Sequence, residues 1–536
     1  MSKHYQEIFS KQFFHIAGAL FVWILMLARV FYFYHAPDAM KVTAIPDDTF
    51  YYVQLAQHHI QDGGWHFDNH TSTTGFHLFY AYFLVFLLTT FKTMSWPELF
   101  LIVSLFSTTA LAAATYFSLR SSEILFGFQA SLWSLLPYLT VSVFIQSSMM
   151  MESWLVIFFT SLGFYYVLSN QKLTLPHQAI LILVGFFGSL SRSDFGLFPG
   201  LLCVVFLLSA KHWQHSEVKR SSLWFLGAIL GLCVVSIHAY MISGHATQSS
   251  AQTKLYWSSL IGHDIQIPWQ FMKSIIIPQG NDLNLSNHFW KIFFLVIFSC
   301  LELAWASIKE NRNTYFVAIA ALLTLCGYTV IYRYNSSALQ VWYVANYVVP
   351  ICIIAAALGS LISKSIERIP PFKKLSLIPF IYALSIYLPV TLKHIFYMPW
   401  VHQSGMMYAG LNLKDMKTNA TFAAWNAGII SYFSGLNIVN LDGLVNDKIL
   451  AYIKKGQLID YIREENIPYI VDYEFMLDNP THNKRGGYGD GKLRRCLVPI
   501  KAIDGPAPEW PPSAEHSKLK LFAVKSECLS SQANRG

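Results

Sequence analysis

Pro46-Asp47-Asp48-Thr49-Phe50-Tyr51-Tyr52-Val53-Gln54-Leu55-Ala56-Gln57-His58-His59-Ile60-Gln61 is the stretch on which the reading of this chain turns. Phe50, Val53, Ala56 and Ile60 recur at helical spacing, with Gln54, Gln57, His58 and Gln61 between them. The two carboxylates fall in the first turn, where the helix dipole favours negative charge, and Pro46 suits the start. Gly63 and Gly64 end the run. The pattern predicts an amphipathic helix lying on the outer membrane surface. Two adjacent aspartates can also be plain caps of a surface helix, and spacing alone weighs the two roles equally.

The surroundings are membrane-like. The chain has 536 residues, 54% hydrophobic, 16% aromatic and only 13% charged, against about 25% charged in a soluble domain. Of its 68 charged residues, 30 lie in 400–536. This predicts a mainly α, polytopic membrane helix bundle over 1–399 and a small external α/β domain over 400–536. Twelve apolar segments are long enough to cross, or nearly cross, a bilayer: 13–34, 76–91, 99–119, 128–145, 154–168, 179–190, 195–208, 223–242, 289–308, 315–331, 341–362 and 375–397. A full span needs about 20 residues. Segments 179–190 and 195–208 fall short, with Ser191-Arg192-Ser193-Asp194 between them, and predict one bent helix or a re-entrant pair. The first segment reads as a permanent anchor.

Orientation follows from charge. Lys3 and Lys11 precede the first span, and further basic residues gather in short loops: Lys211, Lys219 and Arg220; Lys309 and Arg312; Lys364, Arg368, Lys373 and Lys374. That is the bias of cytoplasmic loops. The loop 35–75 holds Lys41 against Asp38, Asp47, Asp48, Asp62 and Asp68 and therefore faces out, as does the base-poor loop 243–288. An inside N-terminus and an outside tail need an odd number of crossings, about eleven with the short pair fused, and the side occupied by Glu152 stays open. The net charge of +8 thus reports topology, and no nucleic-acid partner is expected.

In the tail, 436–441 and 467–473 read as strands around a helical stretch 448–463, a β-α-β order. Beyond Asn479 the sequence turns rich in Gly, Pro and Lys and reads as loop or partly ordered. Cys203, Cys233, Cys300, Cys326 and Cys352 lie in apolar runs, whereas Cys496 and Cys528 lie in the polar tail. If the tail is external those two can pair, and two unpaired thiols is the equal alternative.

The candidate chemistry starts at Asp47-Asp48 and continues with Thr73-Thr74-Gly75-Phe76-His77 at the mouth of the second span. Paired carboxylates beside a hydrophobic cleft can act as a general base, and like charge with partial burial raises one of their pKa values. In this order the residues resemble the GT-C superfamily of membrane glycosyltransferases, which use polyprenyl-phosphate sugars as donors and include the protein O-mannosyltransferases. Further elements follow in register. Met151-Glu152 resembles a Gly-Met-Glu element, with Met150 in place of the glycine. Ser191-Arg192-Ser193-Asp194 resembles an Arg-Pro-Asp/Glu turn, with Ser193 in place of the proline. Ser250 to Lys254 resembles a Ser-x-x-x-Lys element, and Asn440-Leu441-Asp442-Gly443-Leu444-Val445-Asn446 a signature of the external C-terminal domain.

The resemblance implies an inverting hexosyl- or pentosyltransferase acting at the outer face of a membrane. It makes Asp47 the general base and Asp48 its alternative or partner. Lys254 is the first candidate for the donor phosphate, with Arg333 and His77 behind it. Tyr51, Tyr52, Thr74, Glu152, Arg192, Asp194, Tyr343 and Asp442 are candidates for the sugar or acceptor cavity. Five of these have a blander alternative: Lys254 a solvated lysine, Arg192 and Asp194 a pair across a helix break, Glu152 a helix-start acid, and Tyr343 (with Tyr347) part of an interfacial aromatic belt. The implied partners are membrane lipids, a polyprenyl-phosphate-linked sugar donor and a glycan, lipid or protein acceptor. No cofactor is expected and no essential metal, although Asp47, Asp48, Glu152 and His77 are of the type that holds a hard cation. The implied place is a bacterial inner membrane with the tail in the periplasm. Two rivals remain: a multi-span transporter or lipid-carrier flippase, disfavoured by the lack of paired repeats, and a lipid-linked oligosaccharide ligase or polymerase, disfavoured by the acidity of the first loop.

Overall fold

The computed structural model describes residues 3–68, 71–169, 172–209, 215–278, 314–369, 375–503 and 519–530. Among them five helices are long and apolar enough to cross a membrane: Lys11–His35, Trp96–Phe126, Ser216–Ser243, Phe316–Arg333 and Val341–Glu367. The pair Phe128–Leu139 and Val141–Ser147, bent by 72°, makes a sixth if it counts as one span. Four shorter apolar helices, Leu78–Thr90, Ser153–Leu168, Leu175–Ser191 and Leu197–Leu208, complete the set. All coincide with apolar segments of the sequence. The expected span 289–308 and Lys211, Lys309, Arg312, Lys373 and Lys374 lie outside the described residues. The expectation of about eleven crossings therefore meets five or six full-length helices among the described residues. The shorter ones run 12 to 17 residues, about 18–26 Å at the helical rise, less than a hydrocarbon core of about 30 Å.

The chain divides into two compact units, each assembled from separate stretches. The first comprises Met1–Tyr32, Leu99–Val235 and Asp264–Tyr397. Its helices approach closely where side chains vanish: a Cβ on Gly227 would lie 2.1 Å from the Ile182 carbonyl oxygen, and one on Gly185 2.2 Å from that of Trp224. Small residues let backbones meet where apolar area alone gives no drive for helix association. The bend after Leu139 has a local cause. Pro137 supplies no amide proton, and Thr140 adopts an extended conformation while its hydroxyl donates to the Pro137 carbonyl at 2.7 Å. The buried Arg29 guanidinium donates to the carbonyls of His394 (2.7 Å) and Tyr397 (2.8 Å), and its Nε to Ser148 Oγ (2.8 Å). These contacts fasten the first helix to the end of the helix Ile378–His394.

The second unit comprises Phe33–Glu98, Ser236–His263 and Met398–Gly536. Its sheet has strands β1 (Phe422–Ala424), β2 (Ile438–Asn440), β3 (Tyr469–Tyr473), β4 (Leu497–Ala502) and β5 (Leu519–Val524) in the order β2-β1-β3-β5-β4. The first three run parallel, with Phe422 opposite Ile438 and Tyr469, and β5 runs antiparallel to both β3 and β4. The expected β-α-β unit is present as β2, the helices Ile449–Lys454 and Leu458–Glu464, and β3. Beyond Asn479, expected as loop or partly ordered, the chain forms β4 and β5. Strand β4 was masked by Pro499, tolerated because this is an edge strand, and by the irregular register between Pro499 and Lys501. Residues 504–518 lie outside the described residues.

A second correction concerns the helix Asp47–Asp62. Nine of its first ten residues are buried, all but Asp48. It is an embedded element of its unit, not a helix resting on a membrane surface. Phe50, for example, packs against Trp96 (4.7 Å between ring centroids), Tyr432 (5.3 Å) and Phe433 (5.9 Å). Periodicity announces an apolar face but not what covers it.

Two predictions follow from these elements. Cys496 and Cys528 are bonded, closing a loop of sequence separation 32; for a loop of that length chain entropy gives about 3–4 kcal/mol. Reducing agent should therefore lower the thermal midpoint of the intact chain, and Cys528→Ser should lower it without further response to reductant. Met150 has φ 54°, in the left-handed region that favours glycine, yet its side chain is fully buried. Met150→Gly relieves about 1–2 kcal/mol of strain but gives up roughly 2–5 kcal/mol of buried side chain. The packing loss wins, and a melting curve in detergent should show net destabilisation.

Candidate active site

Asp47 sits at the start of its helix, 8% exposed. Its Oδ1 accepts from the Ile429 amide at 2.6 Å and its Oδ2 from the Gly428 amide at 3.2 Å. Burial pushes its carboxyl up to about 7 against the opposing pull of these two amides, and the neighbouring Asp48 adds to the rise. Glycine at 428 is required by the approach itself: a Cβ there would lie 2.4 Å from the Asp47 carbonyl oxygen. Asp48, one residue on, is half-buried. Burial raises its carboxyl, and the charge of Lys254 works in the opposite sense.

The third acid comes from the tail. The stretch 440–446 is wired to itself: Asn440 Oδ1 accepts from the Gly443 amide (3.0 Å), Asp442 Oδ1 from the Leu444 amide (2.7 Å), and Asn446 Nδ2 donates to the Asn440 carbonyl (3.0 Å). Gly443 takes φ 83°, which only glycine adopts readily. Asp442, half-buried, is raised to about 7, chiefly by burial, with Asp48 and Asp47 both contributing. Tyr51 stands between the loop and the tail. Its hydroxyl lies 3.3 Å from both Asp442 Oδ2 and the Trp425 carbonyl, with one proton for the two, and accepts from Asn440 Nδ2 at 3.2 Å.

Two cations face these acids. Lys254, half-buried in the helix Ser249–Ile261, acts on Asp48. Arg485 lies in the helix Pro480–Gly486, with its guanidinium carbon 3.9 Å from the centroid of the Trp257 ring. Burial lowers its pKa while Asp442 supports its charge. Arg485 did not emerge from the sequence, although a signal existed. Asn479 caps the helix by accepting from the Thr481 amide (2.8 Å), Pro480 opens it, and Gly487 at φ 70° closes it.

Other candidates occupy different surroundings. Buried Thr74 donates to Asp447 Oδ2 at 3.1 Å and accepts from the Ser249 amide at 3.0 Å, while Thr73 holds Asp447 Oδ1 at 2.7 Å. Gly75 follows because a Cβ there would lie 1.7 Å from the Leu444 carbonyl oxygen. Tyr52 packs its ring on Tyr80 and accepts from the half-buried His77 amide at 3.2 Å. In the first unit Glu152 meets Arg192 at 2.9 Å, and Arg192 grips Asp194 with two bonds of 3.0 and 2.8 Å. Tyr332 donates to Asp194 at 2.7 Å, and Tyr343 lies under the Arg192 guanidinium at 4.3 Å. Arg333 is exposed at the end of the helix Thr314–Arg333, also in the first unit. Among the described residues no cluster of three or more His, Cys, Asp or Glu could hold a metal ion.

Residues 401–518 match a family described as a domain of unknown function, DUF8728. No curated protein matches the chain in sequence. Among solved structures the chain is similar to ArnT from Cupriavidus metallidurans bound to undecaprenyl phosphate, at 12% identity and a TM-score of 0.54, with 97% of this chain and 99% of that chain covered. It is also similar to the Archaeoglobus fulgidus oligosaccharyltransferase in complex with zinc and sulfate (12% identity, TM-score 0.53), covering 80% of this chain and 64% of that one. AglB from the same organism, in complex with an inhibitory peptide and a dolichol-phosphate, gives 11% identity and a TM-score of 0.55 over 91% of this chain and 73% of that one. At such identities the likeness is one of fold. The chain shares the fold of these proteins, as the resemblance carried by the order of its motifs implied, and is a multi-pass membrane protein.

The raised acids make stability depend on pH. Asp47 and Asp442 move from an ordinary 3.8 to about 7 in the folded state, so between these values the native form binds more protons than the unfolded one. Stability then falls as pH rises through that window. The thermal midpoint should be higher at pH 5 than at pH 8, and Asp47→Asn should shrink the difference. A midpoint that rises with pH would contradict this account.

Proposed function

We propose that the chain is an inverting glycosyltransferase that moves a sugar from a polyprenyl-phosphate carrier to an acceptor hydroxyl at the outer face of the membrane. The observation that carries the proposal is the gathering of Asp47, Asp48 and Asp442 with Lys254 and Arg485, from three distant stretches of chain, in one unit of a GT-C fold. Carboxyls with perturbed pKa values cluster at functional sites. Lipid-linked phosphate in the similar structures of ArnT and AglB supports the donor class.

The chemistry divides among these residues. Both oxygens of Asp47 are engaged by backbone amides, so it serves to hold the tail against the loop. Asp48, half-buried beside Lys254, is the general base. It takes the proton of the acceptor hydroxyl as that oxygen bonds to the anomeric carbon from the face opposite the phosphate. The bond from that carbon to the phosphate oxygen breaks, and its electron pair leaves with the lipid phosphate. Lys254 and Arg485 receive the charge that develops there. The 400–536 domain supplies Asp442 and Arg485 and covers the acceptor. Its disulfide is the state expected in an oxidising compartment, in keeping with a tail in the periplasm of a bacterial inner membrane.

Incubating the purified protein with a labelled polyprenyl-phosphate sugar and an envelope glycan acceptor tests this. Asp48→Asn should reduce transfer by about 10²–10⁴-fold, the usual contribution of a general base. Lys254→Ala and Arg485→Ala should each cost about 10²–10³-fold, comparable to the loss of one charge-stabilising donor. Transfer that survives Asp48→Asn removes the proposed base, and lipid translocation without transfer establishes the flippase instead.

A further inference from the structure

The second unit contains a cavity of about 440 Å³ whose walls come from all three of its stretches. The first loop contributes Thr71 and Ser72, the end of the third long helix Ser243, the segment after it His245 and Gln252, and the tail Asp447, Leu450, Ala451 and Lys454. The volume is that of a small-molecule site. It is separate from the acid cluster but shares its scaffolding. Ser249 and Gln252 line it from the helix that carries Lys254, and Asp447 lines it from the loop that carries Asp442. The partition is rigid: Thr73 and Thr74 hold both oxygens of Asp447, and Thr253 Oγ1 donates to the Gly443 carbonyl at 2.9 Å.

The lining specifies a ligand class. Hydroxyl and amide groups share the lining with the apolar side chains of Ile242, Leu450 and Ala451, the mixture a sugar ring presents in complement. The one acid of the wall, Asp447, and one of its two lysines, Lys448, are already engaged. Asp447 is held by the two threonines, and Lys448 is paired with Glu464 and Glu465 on its outer side at 2.6 and 2.5 Å. Lys454 is exposed, has no carboxylate partner among the described residues, and stands 5.8 Å from the centroid of the Tyr256 ring. Lys454 is thus the charged side chain of the wall that a ligand can still pair with. We infer that this cavity is the docking subsite of an anionic, polyhydroxylated acceptor glycan, one whose phosphate or carboxylate group meets Lys454. The inference rests on the glycosyltransferase reading and names its acceptor class. The cavity thus holds a part of the acceptor remote from the reacting hydroxyl, which reaches Asp48 beyond the 442–447 loop.

Calorimetric titration of the full-length protein in nanodiscs, with glucose 6-phosphate, glucose and inorganic phosphate as separate probes, tests the inference without turnover. Glucose 6-phosphate should bind at least ten-fold more tightly than either glucose or phosphate alone. Lys454→Glu should weaken it ten-fold or more, and Ala451→Trp, which fills the cavity from an exposed helix position, should abolish it. Asp48→Asn should leave that binding unchanged while abolishing transfer, which separates failure of the subsite from failure of the proposed reaction. Binding that ignores both Lys454→Glu and Ala451→Trp overturns the inference, as does equal affinity for phosphate alone, which would make the site a simple anion pocket.

Discussion

A carboxylate taken out of water must find donors, and the fold of the second unit follows from how Asp47 finds its own. The amides of Gly428 and Ile429 supply them at 3.2 and 2.6 Å. An isolated buried charge would be prohibitive, so the first loop and the tail are bound to fold together. Around this contact the chain accepts tight conditions. Residue 428 has no room for a side chain, Gly75 meets Leu444 at similarly close range, and Tyr51 bridges from the same helix to Asn440 and Asp442. The unit is discontinuous in sequence for this reason, joining 33–98 and 236–263 to the tail.

The two units handle buried charge in opposite ways. In the first, Arg192 meets two carboxylates, Tyr332 bonds Asp194, and Asn346 Nδ2 in turn donates to the Tyr332 hydroxyl at 2.6 Å. Such a network pairs its charges, and breaking a pair of this kind costs about 3–5 kcal/mol. It fastens the helix break at 192–196. In the second unit burial raises three acids, Asp48 adds to the rise at Asp47, both add to that at Asp442, and two cations stand near without neutralising them all. That imbalance is unfavourable for folding and useful for chemistry. It keeps carboxyls close to the pH at which they can take up a proton.

The legible part of the site was local. Asp47 and Asp48 stood out as adjacent acids after a proline, and the 440–446 run as a dense set of Asn, Asp and Gly, each of which proves to make a turn bond or a left-handed kink. Lys254 was legible only through the resemblance. Arg485 was hidden because a seven-residue helix carries little periodicity and its neighbours are glycines and lysines. Strand β4 was hidden for a related reason. An edge strand with an exposed face and a proline lacks the alternation by which strands are recognised.

Sequence alone determined the helices and their membrane character, since an apolar run in hydrocarbon must satisfy its backbone within itself and so leaves only one choice of structure. It determined the β2-helix-β3 core of the tail for the same local reason. Tertiary structure alone decided that the helix Asp47–Asp62 is embedded, that Cys496 reaches Cys528, and that Arg485 faces Asp442. Each of these depends on which distant surface covers a given face. Periodicity records that a face is apolar or charged, and carries no address for its partner.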